Sequence, residues 1–415
     1  MIDSCSIKNQ GLISIEQALK KIEATVIPIQ AGERVILKSA LGRILATEVY
    51  SSINIPADKN SAMDGYAFSS QDIFPDQSFS LTLVGTSWAG KPYDKALKKG
   101  QCIRIFTGAV VPVNADSVIM QEHIQCEGNT ILFPETTRAK ENIRPIGSDI
   151  KKDEMLLAAK TKVTANNIGL LASAGIYDVA VKRKLNIAFL STGDELIAIG
   201  QALKAGQIYD SNRYTLSALL SDNNLNANDL GVIADNKKIL KETLYAASKT
   251  YDVIISTGGA SVGEADYIHE ILKALGDVSF WKIAIKPGKP LAFGKINNSY
   301  FFGLPGNPVS VISTFHKIVY PALLLLSGKT SAKKNLQITA ICTSHLKKMK
   351  GRQEYQRGIL TQQESGEFVV RSAGKQGSNI MSAMSVANCY IVLPIDCEDV
   401  AVGEKVRVEP FDVFI

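Results

Sequence analysis

Aromatic residues make up only 7% of the 415-residue chain, and they are not interleaved with lysine or arginine. That absence excludes a stacking strip for single-stranded nucleic acid. The net charge of +6 is small for this length and no basic run stands out, so the balance suits a small anionic ligand and not a nucleic-acid coat. Six cysteines (Cys5, Cys102, Cys126, Cys342, Cys389, Cys397) are scattered without a C-x-x-C pair, which excludes a structural zinc site and a disulfide framework. The four histidines form no ligand pair, and spacing yields no Ser–His–Asp or Cys–His constellation. No basic segment followed by an apolar core opens the chain, so MIDSCSIKNQ is not a secretory signal. The most apolar helix candidate, HKIVYPALLLLSG, is too short to span a bilayer and is expected to break at Pro321. The expectation is a soluble protein of a reducing cytosol, with neither a membrane nor a nucleic-acid partner.

What is present is a composition of 46% hydrophobic and 21% charged residues, enough for a sizeable core spread over two to four domains. SIEQALKKIEATV predicts a helix behind Ser14 as N-cap. SFSLTLVG, QCIRIFTG, DSVIMQE and NTILFPE predict short strands, and TANNIGLLASAG a helix ended by Gly175. From about residue 184 strands alternate with helices: LNIAFLSTGDE, a helix over 211–223 capped by Ser211 or Asn212, LGVIAD, NKKILKETLYAASKT, DVIIST and DYIHEILKALG. That alternation predicts a parallel sheet covered on both faces, with ligands at the carboxyl ends of its strands. LQITAICTS, EYQRGILT, FVVRS, CYIVLP and EKVRVEP predict a small antiparallel sheet or barrel at the end.

Strand plus STG occurs twice, at Ser191–Thr192–Gly193 and at Ser256–Thr257–Gly258, the latter running on through Gly259 and Ser261. Hydroxyls and approachable N–H groups there suit a phosphate or molybdate-like oxyanion; the bland alternative is a pair of tight strand-to-helix turns. Neither a Walker A loop nor G-x-G-x-x-G is met. Asp194, Glu195, Asp235, Glu264 and Asp266 also fall at predicted carboxyl ends of strands. Singly each reads as a helix cap; together they favour a metal, most readily Mg²⁺, bridging acid and anion. In KIAIKPGKP, Lys282 and Lys286 share a face if the run is extended, with Lys289 after the Pro–Gly turn. GLPGNPVSV stiffens a strand-to-helix turn with Pro305 and Pro308. Asp64–Gly65 reads as a hairpin turn, and Thr107–Gly108 and Asp149 as ordinary turn residues.

Taken together, NSAMDGYAF, RIFTGA, NIRPIGSD, STGDEL, QIYDSN, STGGASVGEADY, KIAIKPGKPLAFG, GLPGNPVS and GKQGSNI, in that order, resemble the molybdopterin molybdotransferase family. These are the molybdenum insertases that include MoeA and the E domain of gephyrin. The resemblance implies an α/β multidomain fold: an elongated N-terminal scaffold with a β-rich insert, a central doubly wound, mostly parallel α/β domain and a small C-terminal β-barrel. The corresponding boundaries are 1–52 with 145–182, 53–144, 183–329 and 330–415. It further implies a cytoplasmic homodimer, with the α/β domain of one copy facing the N-terminal region of the other. The substrates implied are adenylated molybdopterin and molybdate, with Mg²⁺ as cofactor and AMP as product. The adenylyltransferase and other molybdenum-cofactor proteins are the implied protein partners. By motif matching, Asp64, Thr107, Glu195, Asp235, Lys282 and Lys286 are implied as catalytic. Ser191, Thr192, Gly193, Thr257, Gly258, Gly259, Ser261, Lys289, Pro305 and Pro308 are implied to bind substrate, with Arg357, Ser378 and Asp149 as softer carry-overs. Asp235, Glu264 and Asp266 are the implied metal ligands. The alternatives are a non-catalytic pterin-binding scaffold and the related adenylyltransferase. The latter typically reads T-G-G-T-G where this chain has TGGASVG, and it lacks the flanking domains. One departure stands out: the family usually has an aromatic just before N-S-A-M-D-G, where this chain has Asp58 and Lys59.

Overall fold

The computed structural model describes residues 11–222, 224–258, 267–329 and 336–411. Its first helix, Ile15–Thr25, begins where Ser14 and Gln17 cap one another reciprocally, each side chain accepting the other's backbone N–H. The apolar face of that helix, Ile15, Ala18 and Ile22, is buried in the core of the central sheet, and the preceding strand Leu12–Ile13 is that sheet's edge. Residues 12–25, grouped by the sequence reading with the scaffold, therefore join the central body.

The scaffold itself is a ladder of outgoing and returning chain. Gly32–Ile36 pairs antiparallel with Asp178–Lys182, Val49–Tyr50 with Met155–Leu157, and Asn60–Ser61 with Ile143–Arg144. Between the two halves of its last rung the chain builds a six-stranded sheet. Its order is Ser117–Met120, Gly65–Phe68, Gln101–Ile105, Phe79–Ser87, Thr130–Phe133 and Gln125–Glu127. Gly65 does not serve the hairpin turn expected of Asp64–Gly65. It opens a strand, and a Cβ there would lie 1.8 Å from the Ile119 carbonyl oxygen, so close strand approach is what requires glycine.

The central sheet has seven strands in the order Leu12–Ile13, Gly276–Ile283, Pro290–Ile296, Ser299–Leu304, Val253–Thr257, Leu185–Thr192 and Leu225–Ile233. Its pairings are parallel except the two made by Pro290–Ile296. Apolar side chains are buried on both faces: one cluster holds Phe189, Ile255, Phe302 and Phe315, the other Leu190, Ile254, Leu240 and Leu272. The near-continuous apolar strands follow from that double coverage.

Two expectations are corrected here. Pro321 does not break its helix: a helical run extends from Pro308 to Leu326, with a π turn over Phe315–Val319 just before the proline. The wider turn relieves the clash and the missing bond that proline brings to an α-helix. By length and composition this helix could cross a membrane, but 78% of its apolar window is buried inside the protein. The C-terminal sheet closes on itself, with Gln353–Gln362 pairing both Phe368–Ser372 and Cys389–Leu393. It is not purely antiparallel, because Ile338–Cys342 runs parallel to Phe368–Ser372.

Candidate active site

The two STG segments end neighbouring parallel strands in register, Ser191 beside Thr257. Both are buried, and their hydroxyls lie 2.9 Å apart. Gly258 has φ +83°, and a Cβ on it would lie 2.6 Å from the Thr192 carbonyl oxygen and 2.7 Å from its hydroxyl. Only glycine lets the two loops meet this closely. They open on a cleft of about 260 Å³ whose lining includes Thr192, Glu195, Asn212, Gly306, Asn307 and Asn379.

Asp210 organises the rest of this edge. It, and not Ser211 or Asn212, caps the helix Ser211–Leu219, because its carboxylate accepts the Arg213 N–H at 3.2 Å. The same carboxylate accepts from Ser191 Oγ at 3.1 Å and Arg213 Nε at 3.1 Å, while Arg213 reaches on to Asp229 at 2.8 Å. Asn212 is buried, donates to the Gly306 carbonyl at 2.7 Å and leaves its Oδ1 without a partner. Sequence reasoning missed Asp210 and Asn212 as site residues. The signal available was D-S-N-R after a strand, an N-cap pattern directly following QIY.

Asp194, Glu195 and Asp235 crowd the loop edge. The Asp235 N–H donates to Asp194 Oδ1 at 3.0 Å. Partial burial raises the Asp235 carboxyl above the usual carboxylate range, and the charges of Asp194 and Glu195 push it the same way. A divalent cation relieves such repulsion among hard oxygen donors, so the chemistry of these residues fits Mg²⁺. Among the described residues, however, no group of three or more His, Cys, Asp or Glu side chains is placed to hold a metal. Gly259, Ser261, Glu264 and Asp266 lie outside the described residues.

The lysine run is not one extended face. Strand Gly276–Ile283 leaves the central sheet at a bend on Ala284, and Ile285–Lys286 then joins the barrel sheet beside Gln353–Glu354. Lys282 and Lys289 are exposed, whereas Lys286 Nζ donates to Glu354 Oε1 at 3.0 Å. Glu354 is buried, with Gln356 Nε2 on its other oxygen at 3.0 Å. Burial lowers the nearby Lys348 ammonium, an effect opposed by the charge of Glu354.

Pro305 is buried behind the cleft and Pro308 opens the helix that flanks it. Ser378 binds that helix through its carbonyl, which accepts the Val309 N–H at 3.0 Å. Arg357 is only 1% exposed and braces the segment before Ser378, donating to the Gly377 and Lys375 carbonyls at 3.0 and 3.3 Å. Asp149 is exposed on the scaffold. Asp64 and Thr107 are brought together, but in loops flanking the six-stranded sheet of the insert and not at the sheet that builds the cleft.

Three family models match consecutive parts of the chain: the MoeA N-terminal region (domain I and II) over 13–175, a probable molybdopterin binding domain over 188–324, and the MoeA C-terminal region (domain IV) over 339–411. A molybdopterin molybdenumtransferase of Haemophilus influenzae is 43% identical over 97% of this chain and 99% of its own length. The chain belongs to the molybdopterin molybdenumtransferase family. The crystal structure of a MoeA protein from Pyrococcus horikoshii superposes with a TM-score of 0.82 at 29% identity, covering 96% of this chain and 100% of that one. Gephyrin of Dictyostelium discoideum is 33% identical over 87% of this chain, which spans 57% of gephyrin.

Proposed function

We propose that this protein takes adenylated molybdopterin and molybdate, inserts molybdenum into the dithiolene and releases AMP. As a member of its family the chain is a transferase of molybdenum-cofactor biosynthesis; adenylation of the substrate, the metal and the assembly are our additions. The observation that carries the reading is the meeting of two STG loops over one cleft, with the Glu195 carboxylate in its lining.

In this reading Ser191, Thr192, Gly193, Thr257, Gly258, Gly259 and Ser261 hold phosphate oxygens, with the helix entry at Pro305–Pro308 closing the far side. Asp235, with Glu264 and Asp266, would hold Mg²⁺, which offsets phosphate charge when bound. Lys282, Lys286 and Lys289 neutralise the incoming anion, and Arg357 keeps Ser378 at the cleft. Positioning and charge neutralisation supply most of the rate at a phosphoanhydride.

Asp64 and Thr107 enter the cleft of a second copy in this reading, since they sit in loops of the insert and not at the sheet that builds the cleft of their own chain. A cytoplasmic homodimer is thus the working unit, and the adenylyltransferase is the natural donor of its substrate. The test mixes purified protein, adenylated molybdopterin, molybdate and Mg²⁺, then follows AMP and active cofactor. Tight pterin binding without AMP release at any metal would leave a carrier protein instead. Asp266→Asn and Lys286→Ala retaining full turnover would remove this cleft from the reaction.

A further inference from the structure

Trp88 is 51% exposed, an unusual place for an indole, and it does not hang loose. Backbone bonds in both directions with Lys91, each 3.0 Å, close a tight turn that carries it. Its ring lies on Phe106 with centroids 4.1 Å apart and planes 12° from parallel. The Arg104 guanidinium stands 5.0 Å from the Phe106 ring and 5.1 Å from the Tyr66 ring, and donates to the Gly65 carbonyl at 3.2 Å. The result is a pre-ordered stack of indole, phenyl and guanidinium at the insert surface.

Its position gives it a use. Phe106 is the residue before Thr107, and Gly65 the residue after Asp64, so the stack is built into the two segments that form the Asp64–Thr107 pair. Arg104 also helps hold the Asp64 carboxylate in its charged form. Met63, on the other side of Asp64, is 42% exposed. A rigid aromatic surface with cations at hand binds flat, electron-poor heterocycles attached to phosphate, because stacking requires no sequence of hydrogen-bonding groups.

We propose that Trp88 and Phe106 form a stacking platform for the planar heterocycle of the substrate, pterin or adenine, at the site where Asp64 and Thr107 act. This rests on the reading that Asp64 and Thr107 belong to the substrate cleft. The platform gives the insert a binding task of its own, separate from the phosphate grip of the STG loops.

The test is calorimetric titration of the full-length protein with AMP, with 6-hydroxymethylpterin and with ribose 5-phosphate, comparing wild type, Trp88→Ala and Trp88→Phe. Removing the indole is expected to weaken binding of one ring compound about tenfold, with Trp88→Phe retaining most of the affinity. Ribose 5-phosphate should bind all three alike. The ring compound that loses affinity identifies the heterocycle. Equal binding of both ring compounds to wild type and Trp88→Ala would overturn the platform, as would no binding of either by wild type. A matching loss for ribose 5-phosphate would also overturn it, because the effect would then not lie in stacking. Because these titrations measure binding without turnover, they are independent of whether wild type releases AMP, which tests the proposed reaction.

Discussion

One oxygen of Asp64 accepts both hydrogen bonds that Thr107 offers, the backbone N–H at 2.7 Å and the hydroxyl at 2.8 Å. The pair joins two loops 43 residues apart and holds the carboxyl below its usual range, the N–H contributing most and the hydroxyl next. Asp64 is thus ionised well into mildly acidic conditions while its second oxygen remains available to a ligand.

Mixing two inactive variants separates action within a chain from action across a dimer. Asp64→Asn and Lys286→Ala are each expected to lose turnover. Co-refolded in equal amounts, they should regain about a quarter of wild-type activity, since half of the dimers then hold one intact composite site. If both residues served one cleft within a chain, every chain would carry a lesion and no activity would return.

Thr107→Val keeps the backbone bond to Asp64 and removes the hydroxyl. The Asp64 carboxyl should move toward its ordinary range, and the acid limb of the pH–rate profile should shift to higher pH. Thermal stability should change by less than about 1 kcal/mol, because an exposed hydrogen bond contributes little. Carbon-detected NMR titration of Asp64 in both proteins measures the shift directly.

Substituting Gly258 tests the meeting of the loops. Alanine there must adopt φ +83° with its Cβ against the Thr192 backbone, at an expected cost of about 2 kcal/mol or more. Urea unfolding should show the loss, and turnover should fall further than stability. Gly306→Ala, where a Cβ meets nothing within 4 Å, is the matched control for stability.

Lys286 and Glu354 form an ion pair of unequal burial, the side chains being 41% and 4% exposed. Solvent at the lysine end screens the pair, so a double-mutant cycle of Lys286→Met and Glu354→Gln should give a coupling of only about 1 kcal/mol in stability. Lys286→Arg should restore the charge and part of the activity. A coupling near zero would mean that the pair does not fix the lysine in solution.

His316 provides a pH handle away from the cleft. Packed among Phe315, Tyr390 and Phe411 and next to the Lys317–Glu409 pair, it is pushed by burial, and then by the Lys317 charge, from 6.5 down to about 4. The unfolded chain therefore binds a proton first as pH falls. Stability is full above about 6.5 and is lost progressively toward 4, by roughly 1–3 kcal/mol. Urea midpoints measured across that range should slope less in His316→Gln.

Local chemistry was the legible part of the sequence. Ser14 announces its helix, alternation marks the strands of the insert, and two STG turns after apolar strands point to one edge of one sheet. What escaped depends on partners distant in sequence. Asp210 caps its helix locally through the Arg213 N–H, but it becomes a Ser191 acceptor only once that helix packs beside the first STG strand. The turn at Ala284 separates Lys282 from Lys286 because the barrel offers the second lysine a parallel strand, and nothing in KIAIKPGKP reports that strand. Pro321 is tolerated because a π turn forms ahead of it, and Gly65 is needed for a neighbour 54 residues away.

The last rung of the scaffold ladder, Asn60–Ser61 against Ile143–Arg144, has a mechanical meaning. The whole insert leaves and re-enters through two adjacent strands, so it is borne like a hand on a wrist. Asp64, Thr107 and the Trp88 stack all lie beyond that joint, so the spacing of carboxylate, hydroxyl and aromatic surface is set within the insert itself.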